Sequence, residues 1–317
     1  MTIGQSIRLE PVDHADVTIV VDNFVDVLMA GSDDVRRYAA TDFGDRGQLI
    51  AEHGFSALLT VESHGRRSSV LYDGGLTPTT LARNLDVLQV PVKDLRALVI
   101  SHGHADHHGG LEALFQRHGR RRLPLVIHPE AWRERKIVFP SGAELRLPPP
   151  SRRDLEAEKV DVIEEPGQTL LLDSTVLVSG QVERHTAFER GFPIHYAHSS
   201  SGWEPDPMIW DDQNLIVNVR DKGLVIVSGC SHAGAVNVLR NAQRLTGDTR
   251  VAGFIGGLHL TGGIFEPIIQ PTVDAFAAAG IARLLPAHCT GWKAVHQLAH
   301  ALPDAFVQPA VGTTVTF

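Results

Sequence analysis

The most constraining feature of this sequence is a short apolar segment that runs straight into a histidine-rich loop. Leu95–Ile100 is typical of a buried strand, and the next ten residues read SHGHADHHGG. Leu111–His118 then has the spacing of a helix. Because imidazole is the commonest metal ligand among side chains, a cluster of histidines between a strand and a helix predicts a metal-binding loop at the end of that strand.

The spacing within this loop predicts how its side chains divide between metal ions. Residues two apart in an extended segment point to the same side, so His102 and His104 are expected to bind one ion. Asp106 and His107 lie past the bend, where a helix begins, and are expected to face a second ion nearby. Imidazole together with carboxylate suits zinc, and also manganese or iron. Two such ions activate a water molecule for hydrolysis, whereas His108 is expected to point away.

Further strands and helices are predicted on both sides of the loop. The predicted strands are Val17–Val21, Phe55–Glu62, Ser69–Tyr72, Leu125–Ile127, Leu170–Val178, Leu215–Val219, Leu224–Val227, Val251–Ile255 and Arg283–Leu285, with a hairpin at Ile137–Leu147. Helices are predicted from Pro78, capped by Thr77, and at Ala235–Leu245 and Ile268–Ala279. This order predicts one α/β domain over residues 1–317. The polar segment Gln181–Asp212 has no periodicity and is interpreted as an insertion that forms a lid or pocket wall.

The composition limits the class of partner and the compartment. The formal net charge of -8 gives no reason for nucleic-acid binding, and Arg117, Arg120, Arg121 and Arg122 are interpreted as a solvated helix end. Two cysteines cannot build a disulfide framework. The N-terminal segment lacks the pattern of a signal peptide, and no apolar run is long enough to span a membrane. We therefore expect a cytoplasmic protein that acts on a small molecule.

Motifs along the chain resemble those of one protein family. The loop HGHADHHGG, with DGG upstream, is similar to the metallo-β-lactamase fold superfamily. Further motifs resemble the branch of metal-dependent hydrolases grouped with dihydropterin ribofuranosylaminobenzene phosphate synthase, namely AEHGFS (51–56), VLYDGG (70–75), SGCSHAG (228–234), GGLHL (256–260) and PAHCTG (286–291). The resemblance implies a four-layer αβ/βα sandwich with metals at one edge of the sheets. It also implies a set of metal ligands, which are His102, His104, Asp106, His107 and His288.

Two departures from the family pattern concern the metal centre. The family has a third histidine for the first metal in a stretch that here reads SGQV (179–182) and contains none. We infer that His232 supplies this imidazole. Cys230 stands where the family has an aspartate that bridges the metals, and it is either a thiolate ligand or a small buried residue. Without a bridging carboxylate, the chain could hold one ion or two.

Four residues close to these motifs complete the candidate site. His259 is interpreted as a ligand, as a proton donor to the leaving group, or as a structural residue. Asp73 is expected to orient the loop, because ligand histidines need a partner for the other ring nitrogen. His53 could face the same cleft, and Cys289 is expected to be structural.

Three functions are compatible with this pattern. The first is a metal-dependent hydrolase that uses a metal-activated water on an ester, phosphoester or lactone, with Asp106 orienting the water and His259 protonating the leaving group. The second is a synthase-like transferase acting on a pterin and a phosphoribosyl compound, with Trp203 and Trp210 stacking on the flat ring. The third is a metal-binding sensor without catalysis.

Three other activities of the fold suit this sequence less well. A secreted β-lactamase needs a signal peptide, and an RNA-processing nuclease needs a basic arm, and neither feature is evident. Flavin-linked di-iron oxidoreductases of this fold usually have a glutamate where this chain has His104. The sequence therefore favours hydrolysis over electron transfer.

Overall fold

The computed structural model describes residues 6–40, 44, 47–118 and 122–317. The strands in chain order are β1 His14–Val21, β2 Val35–Arg36, β3 Ser56–Ser63, β4 Arg66–Tyr72, β5 Ala97–Val99, β6 Pro124–Ile127, β7 Arg135–Val138, β8 Glu144–Leu147, β9 Asp161–Glu164, β10 Thr169–Leu171, β11 Val176–Val178, β12 His195–Ser199, β13 Gly202–Pro205, β14 Leu215–Val219, β15 Gly223–Ser228, β16 Val251–Gly257, β17 Arg283–Ala287 and β18 Thr314–Thr316. The α-helices are α1 Pro78–Val87, α2 Ala105–His108, α3 Leu111–His118, α4 Arg152–Ala157, α5 Ala235–Thr246, α6 Ile269–Ala279 and α7 Trp292–Ala301.

The strands of the described residues form three sheets. The first has the order β2-β18-β1-β3-β4-β5-β6-β9, and the second has the order β10-β11-β14-β15-β16-β17. In each, antiparallel strands lead into a parallel set, which runs from β4 to β9 in the first sheet and from β15 to β17 in the second. The candidate site residues follow the C-terminal ends of these parallel strands, where ligands commonly bind in α/β sheets.

Apolar side chains hold the layers together. Ile19 of the first sheet and Ile255 of the second belong to one buried cluster between the sheets. The other face of the first sheet packs on α1 and α3, where Leu81 is fully buried. The other face of the second sheet packs on α5, α6 and α7, where Phe276 is fully buried. This order of helix, sheet, sheet and helix confirms the predicted four-layer αβ/βα sandwich.

Local sequence signals placed most of these elements well. The third helix begins and ends at the predicted residues, and the hydroxyl of Thr77 accepts a hydrogen bond from the backbone N–H of Thr80 at the start of α1. The prediction of one strand over 170–178 is wrong, because Leu172, Asp173 and Ser174 all have positive φ and turn the chain into the hairpin of β10 and β11. Elements β2, β9, β18, α4 and α7 were not predicted.

The third sheet joins two segments that are distant in the sequence. Its order is β13-β12-β7-β8. The hairpin of β7 and β8 was predicted, whereas β12 and β13 lie within 181–212, which was interpreted as irregular. Strand β12 pairs with β7 through His195 opposite Ile137. The insertion is therefore built on a small sheet of its own.

The surface shows two features that bear on partners. Arg117 forms an ion pair with Asp86, with Nη2 2.7 Å from Oδ2, and Arg122 lies 3.7 Å from Asp161. Arg120 and Arg121, the other members of the predicted basic cluster, lie outside the described residues. Among the described residues, none of the helices has both the length and the apolar character needed to cross a bilayer.

Candidate metal centre

Loops that follow five parallel strands bring the donor side chains together at one edge of the sandwich. Four residues in these loops have left-handed backbone conformations, with φ of 61° at Asp73, 56° at Ser231, 46° at His259 and 48° at His288. Such conformations cost about 1–3 kcal/mol each and are found where surrounding structure enforces them, often at functional sites. The chain therefore bends sharply after four of these five strands, close to the point where each presents a polar side chain.

Three histidines form the first donor cluster. One ring nitrogen each of His102, His104 and His232 lies within 4.8 Å of the others, and all three residues are buried. Nε2 of His102 lies 3.2 Å from Nε2 of His232. Two lone pairs that face each other at this distance repel unless a cation or a proton lies between them. This arrangement fits the three imidazole ligands of one metal ion, with His232 as the third, as inferred from the sequence.

A second group beside the first is centred on Asp106, which lies close to His107 and His288; His53, Asp106 and His288 also have donor atoms within 4.8 Å of one another. Oδ2 of Asp106 lies 3.2 Å from Nε2 of His288 and 3.7 Å from Nε2 of His107. The rings of His102 and His107 are 4.2 Å apart, so the two groups are adjacent. A carboxylate with two imidazoles is a common ligand set for zinc, manganese or iron.

Hydrogen bonds behind the rings direct the lone pairs of two histidines toward these groups. Asp73 is fully buried and accepts hydrogen bonds from the backbone N–H and hydroxyl of Ser101 and from Nδ1 of His107, at 2.7, 2.7 and 2.6 Å. Because the Ser101 hydroxyl donates to Asp73, it accepts from Nδ1 of His102 at 2.9 Å. Nε2 of each ring is therefore the atom available to a metal, and Asp73 orients the loop as predicted.

His288 is fixed in the same way by the segment after β1. Its backbone N–H donates to Asp22, and its carbonyl accepts from the side-chain amide of Asn23 at 3.0 Å. With the amide so oriented, Oδ1 of Asn23 accepts from Nδ1 of His288 at 3.2 Å. Nε2 of His288 then carries a lone pair, is buried and has no hydrogen-bond partner. A lone pair aimed at a carboxylate is stable only when a cation or a proton joins them, so these residues fit a metal ion.

Cys230 lies between the two groups. Its sulfur is 3.2 Å from Nε2 of His107. The sulfur and one ring nitrogen each of His102 and His107 all lie within 4.8 Å of one another. Cys230 also belongs to another set of three donors, with His288 and Cys289. Burial raises the pKa of the Cys230 thiol well above its usual range, and the neighbouring Cys289 adds to this effect. The thiol therefore stays protonated unless a metal binds its sulfur.

Burial keeps most of the histidines of these donor groups neutral. It lowers the pKa of His102, His104 and His232 well below the usual range, and neighbouring rings add to the effect. His107 differs, because Asp73 and Asp106 outweigh its burial and raise its pKa to about 9. Burial would raise the pKa of Asp106, but His107 and His288 hold it well below its usual value. A metal bound at Nε2 of His107 would release that proton.

Comparisons with known proteins agree with this geometry. The family model described as the metallo-beta-lactamase superfamily matches residues 52–288. The chain belongs to the metallo-β-lactamase superfamily. It is 28% identical over 295 residues to the 7,8-dihydropterin-6-methyl-4-(beta-D-ribofuranosyl)-aminobenzene-5'-phosphate synthase of Methanocaldococcus jannaschii, which covers 90% of this chain and 97% of that protein. An uncharacterized protein of the same organism is 28% identical over 274 residues, covering 84% of this chain and 94% of its own.

Solved structures show the same fold. Tm1679, described as a metal-dependent hydrolase of the beta-lactamase superfamily, matches with a TM-score of 0.72 and 22% identity, over 95% of this chain and 98% of its own. The metallo-beta-lactamase fold protein YhfI of Bacillus subtilis matches with a TM-score of 0.52 and 12% identity, over 96% of this chain and all of its own. The resemblance seen in the sequence motifs is confirmed at the level of superfamily and fold.

His259 lies beside the first cluster of this superfamily site. Its ring is 4.4 Å from that of His232 and 4.4 Å from that of Phe265. It belongs to none of the donor groups within 4.8 Å among the described residues. Its Nδ1 is buried without a hydrogen-bond partner, and burial lowers its pKa to about 3. The position suits contact with a bound molecule better than metal ligation.

Two other histidines of the loop region have contrasting surroundings. His53 is exposed, and its Nε2 lies 3.7 Å from Asp106, so it faces the cleft. His108 donates from Nε2 to the carbonyl of Pro148 at 3.2 Å and is absent from the donor groups of the described residues. The expectation that His108 points away therefore agrees with its contacts.

An apolar pocket of about 170 Å³ adjoins the first cluster. His232 and His259 lie at its metal side, and Phe192, Phe265 and Ile264 are among the apolar residues that line it, together with Glu189 and Arg190. The rings of Phe192 and Phe265 meet edge to face at 5.1 Å. The insertion supplies Phe192, which supports its interpretation as a pocket wall.

The sequence interpretation missed a buried histidine in contact with the centre, as well as Ser101, Asp22 and Asn23 behind the rings. His195, at the start of β12, is fully buried, and its Nε2 lies 2.9 Å from Nε2 of His104. It lies in the insertion, where no regular element was predicted. The segment HYAHSSSGW contains the signal that could have located it, because a serine- and glycine-rich turn separates two short stretches with aromatic residues.

Proposed function

We propose that this protein is a metal-dependent hydrolase that acts on a small-molecule ester, phosphoester or related substrate. The observation that carries the proposal is the pair of adjacent donor groups at the edge of the sheets, the buried His102 with its neighbours and the partly exposed Asp106 with its neighbours. An apolar pocket opens directly beside them. This combination favours binding and turnover of a small molecule over binding of a large polymer.

The residues would hold one or two ions, with zinc favoured by the donor types. His102, His104 and His232 would bind the first ion, and Asp106, His107 and His288 the second. Cys230 would add a thiolate between them, because sulfur suits zinc. Divalent ions bound here would polarise the bond under attack and lower the pKa of a coordinated water.

Two side chains would act on the substrate and on the attacking water. Asp106 is partly exposed and carries its charge through neutral pH, so it can hold and orient a water by accepting a hydrogen bond. His259 lines the pocket with one ring nitrogen unpartnered. Because burial keeps it neutral, it can donate one hydrogen bond to the leaving group but carries no positive charge.

The pocket beside the ions indicates the kind of substrate. Its volume of about 170 Å³ suits a ring or a short acyl group, and Phe192, Ile264 and Phe265 offer apolar contacts. We therefore propose a substrate with an uncharged apolar group next to the scissile bond. A Phe265→Ala variant should raise KM for aryl esters more than for methyl esters.

Elemental analysis of the purified protein, combined with turnover of 4-nitrophenyl acetate and bis(4-nitrophenyl) phosphate, tests the proposal. We expect zinc in the protein, turnover that EDTA abolishes and zinc restores, and loss of both zinc and turnover in His104→Ala. His198→Ala is a matched control, since His198 is exposed on β12. Absence of bound metal would overturn the proposal, and metal binding without turnover of any ester would favour a sensor.

A synthase-like transferase remains the second candidate, because the relative of that name aligns over 97% of its length. Trp203 and Trp210 are engaged elsewhere, under Lys136 and Arg184 respectively, and neither lines the pocket beside the ions. Stacking on a pterin ring would therefore fall to Phe192 and Phe265. Calorimetric titration with a dihydropterin tests this candidate, and binding that disappears in Phe265→Ala would support it.

A further inference from the structure

His195 is a buried side chain that contacts the candidate metal centre from the insertion. It is fully buried at the start of β12, 91 residues after His104 in the sequence. The ring stacks on Phe192, with centroids 5.9 Å apart. Each of its two nitrogens makes one hydrogen bond, and together these hydrogen bonds fix where its proton lies.

The hydrogen bonds define the proton positions of both rings. Nδ1 of His195 lies 2.9 Å from the backbone carbonyl of Asp206, which can only accept, so Nδ1 carries a proton. Nε2 of a neutral His195 therefore has a lone pair and accepts. Its partner at 2.9 Å, Nε2 of His104, must then carry a proton and donate. This leaves Nδ1 as the nitrogen of His104 with a lone pair.

A buried ion triad holds His195 and the histidine loop in one frame. Arg135 of β7 is fully buried, with Nη1 and Nη2 at 2.9 and 2.6 Å from Asp211 and Nε at 3.1 Å from Asp206. Oδ2 of Asp211 also accepts from the backbone N–H of Gly103 at 2.7 Å. The third sheet thus fixes the backbone just before His104 as well as the nitrogen behind its ring.

We infer that His195 is a positioning residue that holds His104 in the tautomer with Nδ1 free for the metal. The inference rests on the proposed metal site. It assigns the insertion a role in assembling the first donor cluster, in addition to lining the pocket. His104 would then differ from His102, which presents Nε2 because the Ser101 hydroxyl accepts from its Nδ1.

Two substitutions of His195 distinguish the effect of losing its hydrogen-bond acceptor from the effect of losing its ring. His195→Phe keeps a ring and removes the acceptor, whereas His195→Gln offers a carbonyl oxygen that can accept from His104. His198→Phe, three residues on along β12 and exposed, is the matched control. Zinc affinity is measured by competition with a chromogenic chelator, and folding by circular dichroism and thermal unfolding in EDTA.

We expect zinc binding to weaken about 10- to 100-fold in His195→Phe, as for other residues behind metal ligands, and to recover in His195→Gln. His198→Phe should bind as the unaltered protein does. Unchanged affinity in a folded His195→Phe would overturn the inference. If that variant does not fold, recovery or loss of affinity in His195→Gln decides the question.

Nitrogen-15 NMR of the unaltered zinc-loaded protein provides a second readout. We expect His104 to show a proton on Nε2 and a metal-induced shift on Nδ1, with His195 free of metal. A metal-induced shift on His195, or an unprotonated Nε2 on His104, would overturn the inference even if zinc is bound. Absence of zinc binding by the unaltered protein would instead overturn the proposed function, so the two failures are distinguishable.

Discussion

The sulfur of Cys230 lies 3.2 Å from Nε2 of His107, at the point where the two donor groups meet. The superfamily pattern in the sequence puts a bridging aspartate here. A thiol has one donor atom, whereas a carboxylate has two. With cysteine in place of the aspartate, the bridge between the two donor groups is therefore shorter. The sulfur is nevertheless within reach of both His102 and His107.

Replacing Cys230 should therefore affect the second ion more than the first. We expect Cys230→Ala to lose about one equivalent of zinc and Cys230→Asp to regain it, because a carboxylate can serve as the bridge. Cys289→Ala is the comparison, since it removes the neighbouring thiol, 3.7 Å from the Cys230 carbonyl, and keeps the sulfur that contacts His107. Full zinc content in Cys230→Ala, measured by mass spectrometry of the metal, would show that Cys230 is a buried small residue.

Replacing Asp73 should loosen the whole histidine loop. Its carboxylate accepts three hydrogen bonds from Ser101 and His107. Asp73→Ala leaves these donors buried and unpaired, so we expect zinc affinity to fall about 10- to 100-fold and stability to fall by several kcal/mol. Glu52→Ala is the comparison, because Glu52 caps the start of α1 and belongs to none of the donor groups of the described residues. Equal zinc affinities in the two variants would contradict the orienting role of Asp73.

Replacing Arg135 should destabilise the third sheet. Arg135→Met leaves the carboxylates of Asp206 and Asp211 buried without their cation, which typically costs about 3–5 kcal/mol. Arg146→Met removes an exposed ion pair with Glu134 from the same sheet and should cost less than about 1 kcal/mol. Urea unfolding in EDTA compares the two. Similar losses in both variants would show that the buried triad is no more important than a surface pair.

Asp212 should make the stability of the metal-free protein depend on pH. Burial raises its pKa from 3.8 to about 6, and its Oδ1 has no hydrogen-bond partner. The folded state therefore binds this proton more tightly, so the stability that it contributes is present below pH 3.8 and is lost as pH rises through about 6. This rise in the pKa of Asp212 corresponds to a change of about 3 kcal/mol in the free energy of unfolding.

The variant Asp212→Asn isolates this effect, because an amide does not titrate. We expect the variant to be more stable than the unaltered protein at pH 7.5 and the difference to shrink as pH falls toward 4. Urea unfolding at a series of pH values, with EDTA present, measures the difference. A difference that stays constant over this range would contradict the raised pKa.

The part of the site that is local in sequence could be predicted. His102 to His107 lie in one loop between β5 and α3, so strand and helix periodicity sufficed to place them. The family pattern added His288 and, through the missing third histidine, His232. These residues all follow strands whose apolar sequences are unmistakable.

The rest of the fold and site depends on contacts that no local pattern encodes. His195 reaches His104 because β12 pairs with β7. That pairing was not predicted, because the insertion was interpreted as irregular. The strand Leu170–Val178 was predicted as continuous because its apolar residues outweigh the turn signal of Asp173 and Ser174. Strand β18 is only three residues long, and its place beside β1 is a long-range contact.

The position of β18 has a consequence for synthesis of the chain. This strand lies between β2 and β1 in the first sheet, although 292 residues separate Val21 from Thr314. While the ribosome is still making the second sheet, one edge of β1 is unpaired and open to other strands. The first sheet closes only after residues 314–316 have left the exit tunnel.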